Sequence, residues 1–251
     1  MELTLLGTGT SIPTENHGPA SLWVKFDETS VLVDCGSGSL QKFVQAGGDL
    51  SRLDAIVLSH AHLDHVGDLP NWLFALNGPE VARKKPLNLV TSRPLHHWIE
   101  AWLSPLGDWV KPRQYRIQSH RIESGESLDI SQINLTAFTV SHHPTSLGFR
   151  LRSTGGKLLV IPSDTEMCPS LVAGCRGADC LVIECAATDQ DPIRGHLSPR
   201  DLISVINRGE VGKVVLTHRY LNARTADVTS QLQESLTIPV ITGVDGMKLS
   251  I

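Results

Sequence analysis

The residues most able to do chemistry are crowded into one short stretch, His60-Ala61-His62-Leu63-Asp64-His65. Four potential metal ligands in so short a stretch exceed what chance would place there, even in a chain with 11 histidines. On a strand-to-helix turn, His60 and His62 can point the same way while Asp64 and His65 reach a second point. The stretch therefore predicts a turn that feeds two metal ions. Its nitrogen and oxygen donors, without thiolate, favour zinc, manganese or iron over copper(I).

Two segments in opposite halves of the chain carry the same short pattern. Ile56-Val57-Leu58-Ser59-His60 and Val214-Val215-Leu216-Thr217-His218 both read as buried strands that end in a hydroxyl residue and then a histidine. Ligand sites in α/β sheets lie at the carboxyl ends of strands, which is where these histidines fall. The repetition predicts two similar halves that face one site.

Short apolar runs with β-branched character predict the strands that must hold these side chains. The clear runs are 22–26, 31–33, 55–58, 87–90, 134–140, 147–151, 158–161, 180–183 and 214–216. Helical periodicity is convincing at 67–76, 95–103 and 198–207, the last with Ser198 as its cap and Pro199 at its first position. No Pro/Ser-rich linker interrupts the pattern, so we predict one compact α/β domain over residues 1–251.

Composition and charge exclude several classes of protein. The 251 residues include 22 Lys+Arg and 26 Asp+Glu, a formal net charge of −4, with 41% hydrophobic residues. Such a chain is neither disordered nor fibrous, and its net acidity argues against a protein that coats nucleic acid non-specifically. The N-terminus lacks a signal-peptide pattern, and no apolar stretch approaches the ~18–20 residues of a membrane span. We therefore expect a cytoplasmic location and no membrane partner.

The cysteines do not suggest a metal or redox site. No pair forms a Cys-x-x-Cys motif, and their number is odd. We interpret all five as small buried hydrophobic residues. They are Cys35, Cys168, Cys175, Cys180 and Cys185.

The His-x-His-x-Asp-His pattern resembles the signature of the metallo-β-lactamase-fold hydrolases. Further landmarks of that family follow in order, so the resemblance covers essentially the whole chain. They are Gly7-Thr8-Gly9, opening the first strand; Asp34-Cys35-Gly36, ending an early one; Ser141-His142-His143; Ser163-Asp164-Thr165; and Leu216-Thr217-His218. The resemblance implies an α/β metallo-β-lactamase fold, a four-layer αββα sandwich.

The same resemblance implies a di-metal ligand set. Its members are His60, His62 and His142 for one ion, Asp64, His65 and His218 for the other, and Asp164 as a bridge. Asp34 would orient a ligand histidine, as carboxylates near metals commonly do. The expected cofactors are two divalent ions, zinc first, with manganese or iron as alternatives.

The adjacent pair His142-His143 requires a choice. In the branch of the family that resembles this chain, the ligand lies six residues before the small residue of an x-Gly-aromatic-Arg strand, and Gly148-Phe149-Arg150 then selects His142. On an extended chain His143 would face the opposite way. We interpret His143 as a supporting or surface residue.

Two later segments resemble the ribonuclease Z-like branch of the family. They are Leu181-Val182-Ile183-Glu184-Cys185-Ala186 and Gly195-His196-Leu197-Ser198. In that branch the Glu orients the His, which protonates the departing oxygen, a step that a poor alkoxide leaving group needs. Taken singly, Glu184 could be a salt-bridged strand end and His196 a helix-entry residue. The resemblance implies that Asp64, Glu184 and His196 are catalytic, with a hydroxide supplied between the two cations.

The spacing of two landmarks narrows the expected substrate. Ribonuclease Z carries an inserted arm that grips tRNA between the third His motif and the bridging Asp. Here His142 and Asp164 are only 22 residues apart, so the arm cannot fit. Asp245-Gly246-Met247 also resembles armless phosphodiesterases of this fold. We expect a small phosphodiester or an RNA 3′ end as substrate, no DNA, and, from the resemblance alone, a homodimer.

One basic, aromatic segment, residues 81–121, is open to two interpretations. It holds eight Lys/Arg against Glu100 and Asp108, with Trp98, Trp102 and Trp109 interleaved. That composition is typical of a surface that tracks phosphates and stacks bases. The helical spacing of the aromatic residues also fits inward packing with solvated cations, which we favour.

Two other functions stay open. One is a hydrolase of a lactone, thioester or β-lactam on the same fold, which shares the metal ligands but generally has no need of the Glu184–His196 acid. The other is a metal-bound nucleotide-binding protein without turnover. The complete ligand set argues against the second.

Overall fold

The computed structural model describes residues 1–225 and 228–251, which form fourteen strands and eight α-helices. The strands are β1 (Glu2–Gly7), β2 (Ser21–Phe26), β3 (Thr29–Val33), β4 (Ala55–Val57), β5 (Leu87–Ser92), β6 (Ile117–Ile122), β7 (Ser127–Ile130), β8 (Ile133–Thr139), β9 (Leu147–Ser153), β10 (Leu158–Ser163), β11 (Cys180–Glu184), β12 (Val214–Thr217), β13 (Val240–Thr242) and β14 (Lys248–Ser250). The helices are α1 (Ser39–Gln45), α2 (Leu63–Val66), α3 (Leu69–Ala75), α4 (Arg93–Leu103), α5 (Pro169–Cys175), α6 (Pro199–Gly209), α7 (Leu221–Thr225) and α8 (Val228–Ser235).

The strands form two mixed sheets with matching organisation. The first has the order β14-β1-β2-β3-β4-β5-β6 and the second β13-β12-β11-β10-β9-β8-β7. In the first sheet, β3 to β6 are parallel, and in the second, β10 to β13 are parallel. The two strands that share the hydroxyl-histidine pattern, β4 and β12, both lie in the parallel part of their sheet, although in strand order β4 corresponds to β11 and β12 to β5. The prediction of two similar halves is confirmed.

Alternation of side chains along the strands builds the layers. In β3, Val31 and Val33 belong to the core between the sheets, while Leu32 packs with the helices on the outer face. In β10, Leu159 likewise lies between the sheets and Val160 faces the helices on the other side. Because both faces of these strands are buried, their sequences are continuous apolar runs. The result is the expected metallo-β-lactamase fold, with helices flanking two stacked sheets.

The three predicted helices are present as α3, α4 and α6. Helix α6 begins with a reciprocal capping box. The Ser198 side chain accepts the backbone N–H of Asp201, the N3 residue, and the Asp201 side chain accepts the backbone N–H of Ser198. Within the described residues, no helix combines the length and the apolar character that crossing a membrane requires.

Two predictions were wrong in detail. Gly7-Thr8-Gly9 follows the first strand rather than opening it, since β1 ends at Gly7. The glycine is required there because a Cβ on Gly7 would lie 1.7 Å from the carbonyl oxygen of Pro19. Cys168 is only partly buried, because it precedes α5 at the edge of the core, whereas the other four cysteines are buried.

Candidate metal centre

The predicted histidine-rich turn lies at the carboxyl end of β4. The chain leaves the sheet through Leu58 and Ser59, and His62 occupies the N-cap position of the short helix α2. His60 and His65 are buried, whereas His62 is exposed. The turn therefore places both buried and exposed histidines at the carboxyl end of β4.

The structure brings all seven predicted ligands together. Donor atoms of one group lie within 4.8 Å of one another: His60, His62, His142 and Asp164. A second such group is Asp64, His65 and His218, and a third is Asp164, His196 and His218. These groups come from turns in both halves of the chain, so the cluster exists only in the folded protein.

A single carboxylate oxygen occupies the centre of the cluster. Asp164 Oδ2 lies 3.4 Å from the Nε2 atoms of both His65 and His218. The same oxygen lies 3.7 and 3.8 Å from the Nε2 atoms of His142 and His60. One oxygen that faces four imidazole nitrogens at these distances has the position that a bridging ligand would need.

The ring nitrogens are oriented as metal ligands would be. His65 Nδ1 donates to Asp34 Oδ2 at 2.8 Å, and His142 Nδ1 donates to the carbonyl oxygen of Gly195 at 2.8 Å. In a neutral imidazole the other nitrogen then carries the lone pair. His65 Nε2 is buried and has no hydrogen-bond partner in the described chain. A buried nitrogen without a partner, beside a carboxylate, fits a site for a divalent cation, and the cluster is consistent with a binuclear metal site.

Burial and neighbouring charges set the protonation of His60 and of Asp164. Burial lowers the pKa of His60 well below its usual value, helped by the neighbouring charge of His65, so His60 is neutral. Burial alone would raise the pKa of Asp164, but the charges of His218 and His65 outweigh it and hold that pKa well below its usual range. A neutral imidazole beside an ionised carboxylate is the protonation state that metal binding requires.

Asp34 ties the histidine turn to the first sheet. Its Oδ1 accepts the Ser59 backbone N–H, and its Oδ2 accepts the Ser59 hydroxyl, each at 2.8 Å. Ser163 in turn donates to the Ser59 hydroxyl at 2.8 Å. Because Asp34 Oδ2 also holds His65, one carboxylate fixes both the turn and a candidate ligand. The contact predicted for Asp34 is present.

Three of the seven non-glycine residues with positive φ in the described part of the chain lie at the cluster. Asp34, Ser163 and His218 adopt positive φ angles of 57°, 60° and 47°. Non-glycine residues pay conformational energy in this region, and such positions persist where surrounding contacts fix them. At all three residues, the positive φ bends the chain at the end of a strand toward the site.

Glu184 and His196 form a directly bonded pair beside the cluster. The two carboxylate oxygens of Glu184, at the end of β11, lie 3.0 and 3.1 Å from His196 Nδ1. Glu184 also accepts the Thr165 backbone N–H at 2.8 Å, which fixes its orientation. Burial lowers the pKa of His196, but the hydrogen bond and charge of Glu184 raise it more, so the net shift is upward. The His196 ring stacks on His218 at 5.6 Å.

Sequence reasoning missed two residues that lie at the centre. The Tyr220 ring lies 5.6 Å from the His196 ring and 6.1 Å from the His218 ring. Its position two residues after a predicted ligand was the available signal. Thr145 was also missed: its hydroxyl accepts the Ala61 backbone N–H at 3.1 Å and so braces the histidine turn from the other sheet.

Packing explains part of the basic, aromatic segment. Arg83 is buried, and its guanidinium donates to the carbonyl oxygens of Leu50, Ser51, Leu53 and Pro86. Trp98 and Trp102 are partly buried, stack on each other at 5.1 Å and pack on the outer core of the first sheet. Trp109, at 64% exposure, stays at the surface.

The stretch between His142 and Asp164 is filled by two strands. β9 and β10 pair antiparallel from Leu158 opposite Arg152 to Ile161 opposite Phe149. The residues between these two landmarks thus extend the second sheet and leave no length for an inserted arm.

Comparison with known proteins gives the family. The family model described as the beta-lactamase superfamily domain matches residues 29–219. A ribonuclease Z of Mycobacterium bovis (strain BCG / Pasteur 1173P2) is 30% identical, over 87% of this chain and 85% of the relative. The metallo-beta-lactamase fold protein YhfI from Bacillus subtilis superposes with a TM-score of 0.84 at 21% identity, covering 99% of this chain and 98% of that one.

A second solved structure has the same fold. A diphosphatase from the PhnP family superposes with a TM-score of 0.79 at 19% identity, covering 100% of this chain and 97% of that one. At such identities the structures show the shared fold, while the family model and the ribonuclease Z relative show the family. This chain belongs to the metallo-β-lactamase superfamily of metal-dependent hydrolases, with ribonuclease Z-like relatives.

Proposed function

We propose that this protein is a di-metal phosphodiesterase that acts on a small or RNA-derived phosphodiester. The observation that carries the proposal is the Glu184–His196 pair, whose His196 stacks on the proposed ligand His218. A positioned, protonated histidine beside a metal cluster is what a poorly departing alkoxide needs. Hydrolysis of a lactone or thioester has less use for such an acid.

The ligand assignment follows the two groups of donors. His60, His62 and His142 would hold one ion, Asp64, His65 and His218 the other, and Asp164 Oδ2 would bridge them. Nitrogen and oxygen donors without thiolate favour zinc, with manganese or iron as alternatives. When bound, two such ions lower the pKa of a water molecule and neutralise the charge of the phosphate.

The protein's own residues supply orientation and a proton. Glu184 holds the His196 ring by Nδ1, so Nε2 points away from Glu184 and is the atom that would protonate the leaving oxygen. The negative charge of Glu184 favours the imidazolium form of His196 before the transfer. The Oδ2 atom of Asp64 lies 3.2 Å from His218 Nε2. Asp64 would therefore supply a metal-ligand atom and a negative charge next to His218.

The expected substrate is smaller than a folded tRNA. Strands β9 and β10 take up most of the residues between His142 and Asp164, and Arg83 of the basic segment 81–121 is used for packing. Similarity to a ribonuclease Z supports phosphodiester hydrolysis, and similarity to a PhnP-family diphosphatase supports hydrolysis of phosphate linkages on this fold. A cyclic nucleotide, another small diester or a short RNA end fits these observations.

The test compares two leaving groups. Metal-reconstituted protein, Asp164→Ala and His196→Ala are assayed on an aryl phosphodiester and on an alkyl or ribonucleotide diester, with the exposed His97→Ala as control. We expect Asp164→Ala to abolish both activities. His196→Ala should lose roughly 10²–10⁴-fold on the alkyl diester and much less on the aryl diester, whose phenolate leaves without protonation.

Two results would contradict the proposal. Turnover of a lactone, thioester or β-lactam with no turnover of either diester, in zinc or in manganese, would favour the other hydrolase. Equal losses of His196→Ala on both diesters would remove the acid role of His196.

A further inference from the structure

His143, next to the proposed ligand His142, lies on the solvent side of the cluster. Its ring is 5.3 Å from the ring of His62, on the loop between β8 and β9. Sequence reasoning left it as a supporting or surface residue. The structure gives it a fixed orientation that neither description requires.

Thr145 determines which nitrogen of His143 carries the proton. The Thr145 backbone N–H donates to His143 Nδ1 at 3.3 Å, and the Thr145 Oγ1 lies 2.8 Å from the same nitrogen. The backbone N–H can only donate, so His143 Nδ1 is the acceptor of that bond, and the Thr145 hydroxyl then donates to the same nitrogen. A nitrogen that accepts twice has no hydrogen, so the neutral ring carries its hydrogen on Nε2.

The Nε2–H group is therefore an available donor. Among residues 1–225 and 228–251 the Nε2–H group has no hydrogen-bond partner, and it does not belong to the fully buried polar atoms that lack one. The His143 backbone N–H is also held, by Ser146 Oγ at 3.2 Å, so the loop fixes both ends of the residue. A donor with a fixed direction, unpartnered and beside the metal ligands, is suited to hold an anionic ligand.

We propose that His143 binds the substrate, donating a hydrogen bond from Nε2 to a non-bridging phosphate oxygen on the His62 side of the centre. The inference rests on the proposed phosphodiesterase function and adds a substrate-binding residue to it. Thr145 has a positioning role, because it keeps the donor on Nε2 and at the same time braces Ala61 of the histidine turn.

The experiment measures substrate binding and metal content separately. His143→Phe keeps a planar ring but has no donor, His143→Gln keeps an amide donor, and the exposed His97→Phe is the matched control. We expect His143→Phe to raise KM for the diester about tenfold, a typical value for one lost hydrogen bond to a charged group. His143→Gln should recover part of the loss. All three variants should retain the parent's metal content and unfolding midpoint.

Calorimetric titration of the metal-loaded proteins with inorganic phosphate separates this proposal from the phosphodiesterase proposal. If the parent hydrolyses no diester but binds phosphate about tenfold more tightly than His143→Phe, the phosphodiesterase proposal fails and the role of His143 stands. Equal phosphate affinity in the parent and His143→Phe, no phosphate binding by the parent, or loss of metal from His143→Phe would each overturn the role of His143.

Discussion

At the scale of single residues, the partner of each histidine decides what the histidine can do. His65 and His142 donate from Nδ1 to Asp34 and to the Gly195 carbonyl, so Nε2 faces the cluster. His196 is held the same way by Glu184, whereas His143 accepts at Nδ1 and offers a proton. The partner at Nδ1 thus decides whether Nε2 of each ring is left with a lone pair or with a proton to donate.

Asp34→Asn should weaken metal binding. The substitution keeps a residue that tolerates the positive φ but removes the charge that orients His65, so we expect about 10–100-fold lower zinc affinity. Competition with a chromophoric chelator measures it. Asp27→Asn is the matched control, since Asp27 also has a positive φ, of 48°, and is exposed in the turn between β2 and β3. Unchanged affinity in Asp34→Asn would refute the orienting role.

At the scale of elements, the strand ends are held in place by contacts that cross the whole sequence. Asp245, in the turn before β14, accepts from the Thr8 N–H at 2.9 Å, the Gly18 N–H at 2.7 Å and Lys42 Nζ at 2.5 Å. The Thr8 carbonyl oxygen then accepts the His218 N–H at 2.7 Å. The loop after β1 therefore connects the C-terminal turn to a candidate ligand in the other sheet.

Asp245→Ala should destabilise the fold. It leaves two backbone N–H groups and a half-buried lysine without their acceptor, which costs about 2–3 kcal/mol of unfolding free energy. Urea denaturation measures the change. Asp129→Ala on the edge strand β7 should stay within about 0.5 kcal/mol of the parent. A loss for Asp245→Ala no larger than for this control would mean that the loop holds itself in place.

Helix α6 depends on its cap, which lies two residues after His196. Ser198→Ala removes one half of the capping box, and we expect a loss of about 1 kcal/mol in unfolding free energy. Ser204→Ala, within the same helix, should be neutral or slightly stabilising because alanine has the higher helix propensity. Thermal unfolding of the two variants separates the effects, and a larger loss at Ser204 would contradict the assignment of the cap.

At the scale of the whole molecule, three apolar clusters, one between the sheets and one on each outer face, exclude solvent from four of the five cysteines. Burial raises the pKa of the thiols of Cys175 and Cys185 to about 12 and that of Cys180 to about 11. Cys35 is buried and its pKa is raised for the same reason. Cys168, at the start of α5, is the one cysteine of the five with partial exposure.

Thiol reactivity reports this burial directly. At pH 8 the native protein should react with one equivalent of Ellman's reagent, at Cys168, and with five after unfolding, because buried thiols with raised pKa values form little thiolate. Cys168→Ser should reduce the native count to zero. Rapid reaction of more than one thiol in the native parent would mean that the core opens readily.

The sequence alone was sufficient to predict the features that depend on local spacing and on residue chemistry. The run from His60 to His65 indicated nitrogen and oxygen ligands, the apolar runs predicted most of the central strands, and Ser198-Pro199 predicted the start of α6. These predictions hold because hydrophobic periodicity and capping act between residues close in sequence. The landmarks and their order also resembled those of the metallo-β-lactamase family, to which the family model assigns residues 29–219.

Only the tertiary structure decided how distant residues meet. The place of Asp164 Oδ2 between four histidine nitrogens and the contact of Thr145 with Ala61 join segments far apart in the chain. The bond from Glu184 to His196 depends on how the loop between β11 and α6 folds back on the strand. Gly7 is required by the approach of Pro19, which no local pattern contains. Sequence spacing fixes which donors exist, whereas the stacking of two sheets fixes their distances and partners, and those set protonation and chemistry.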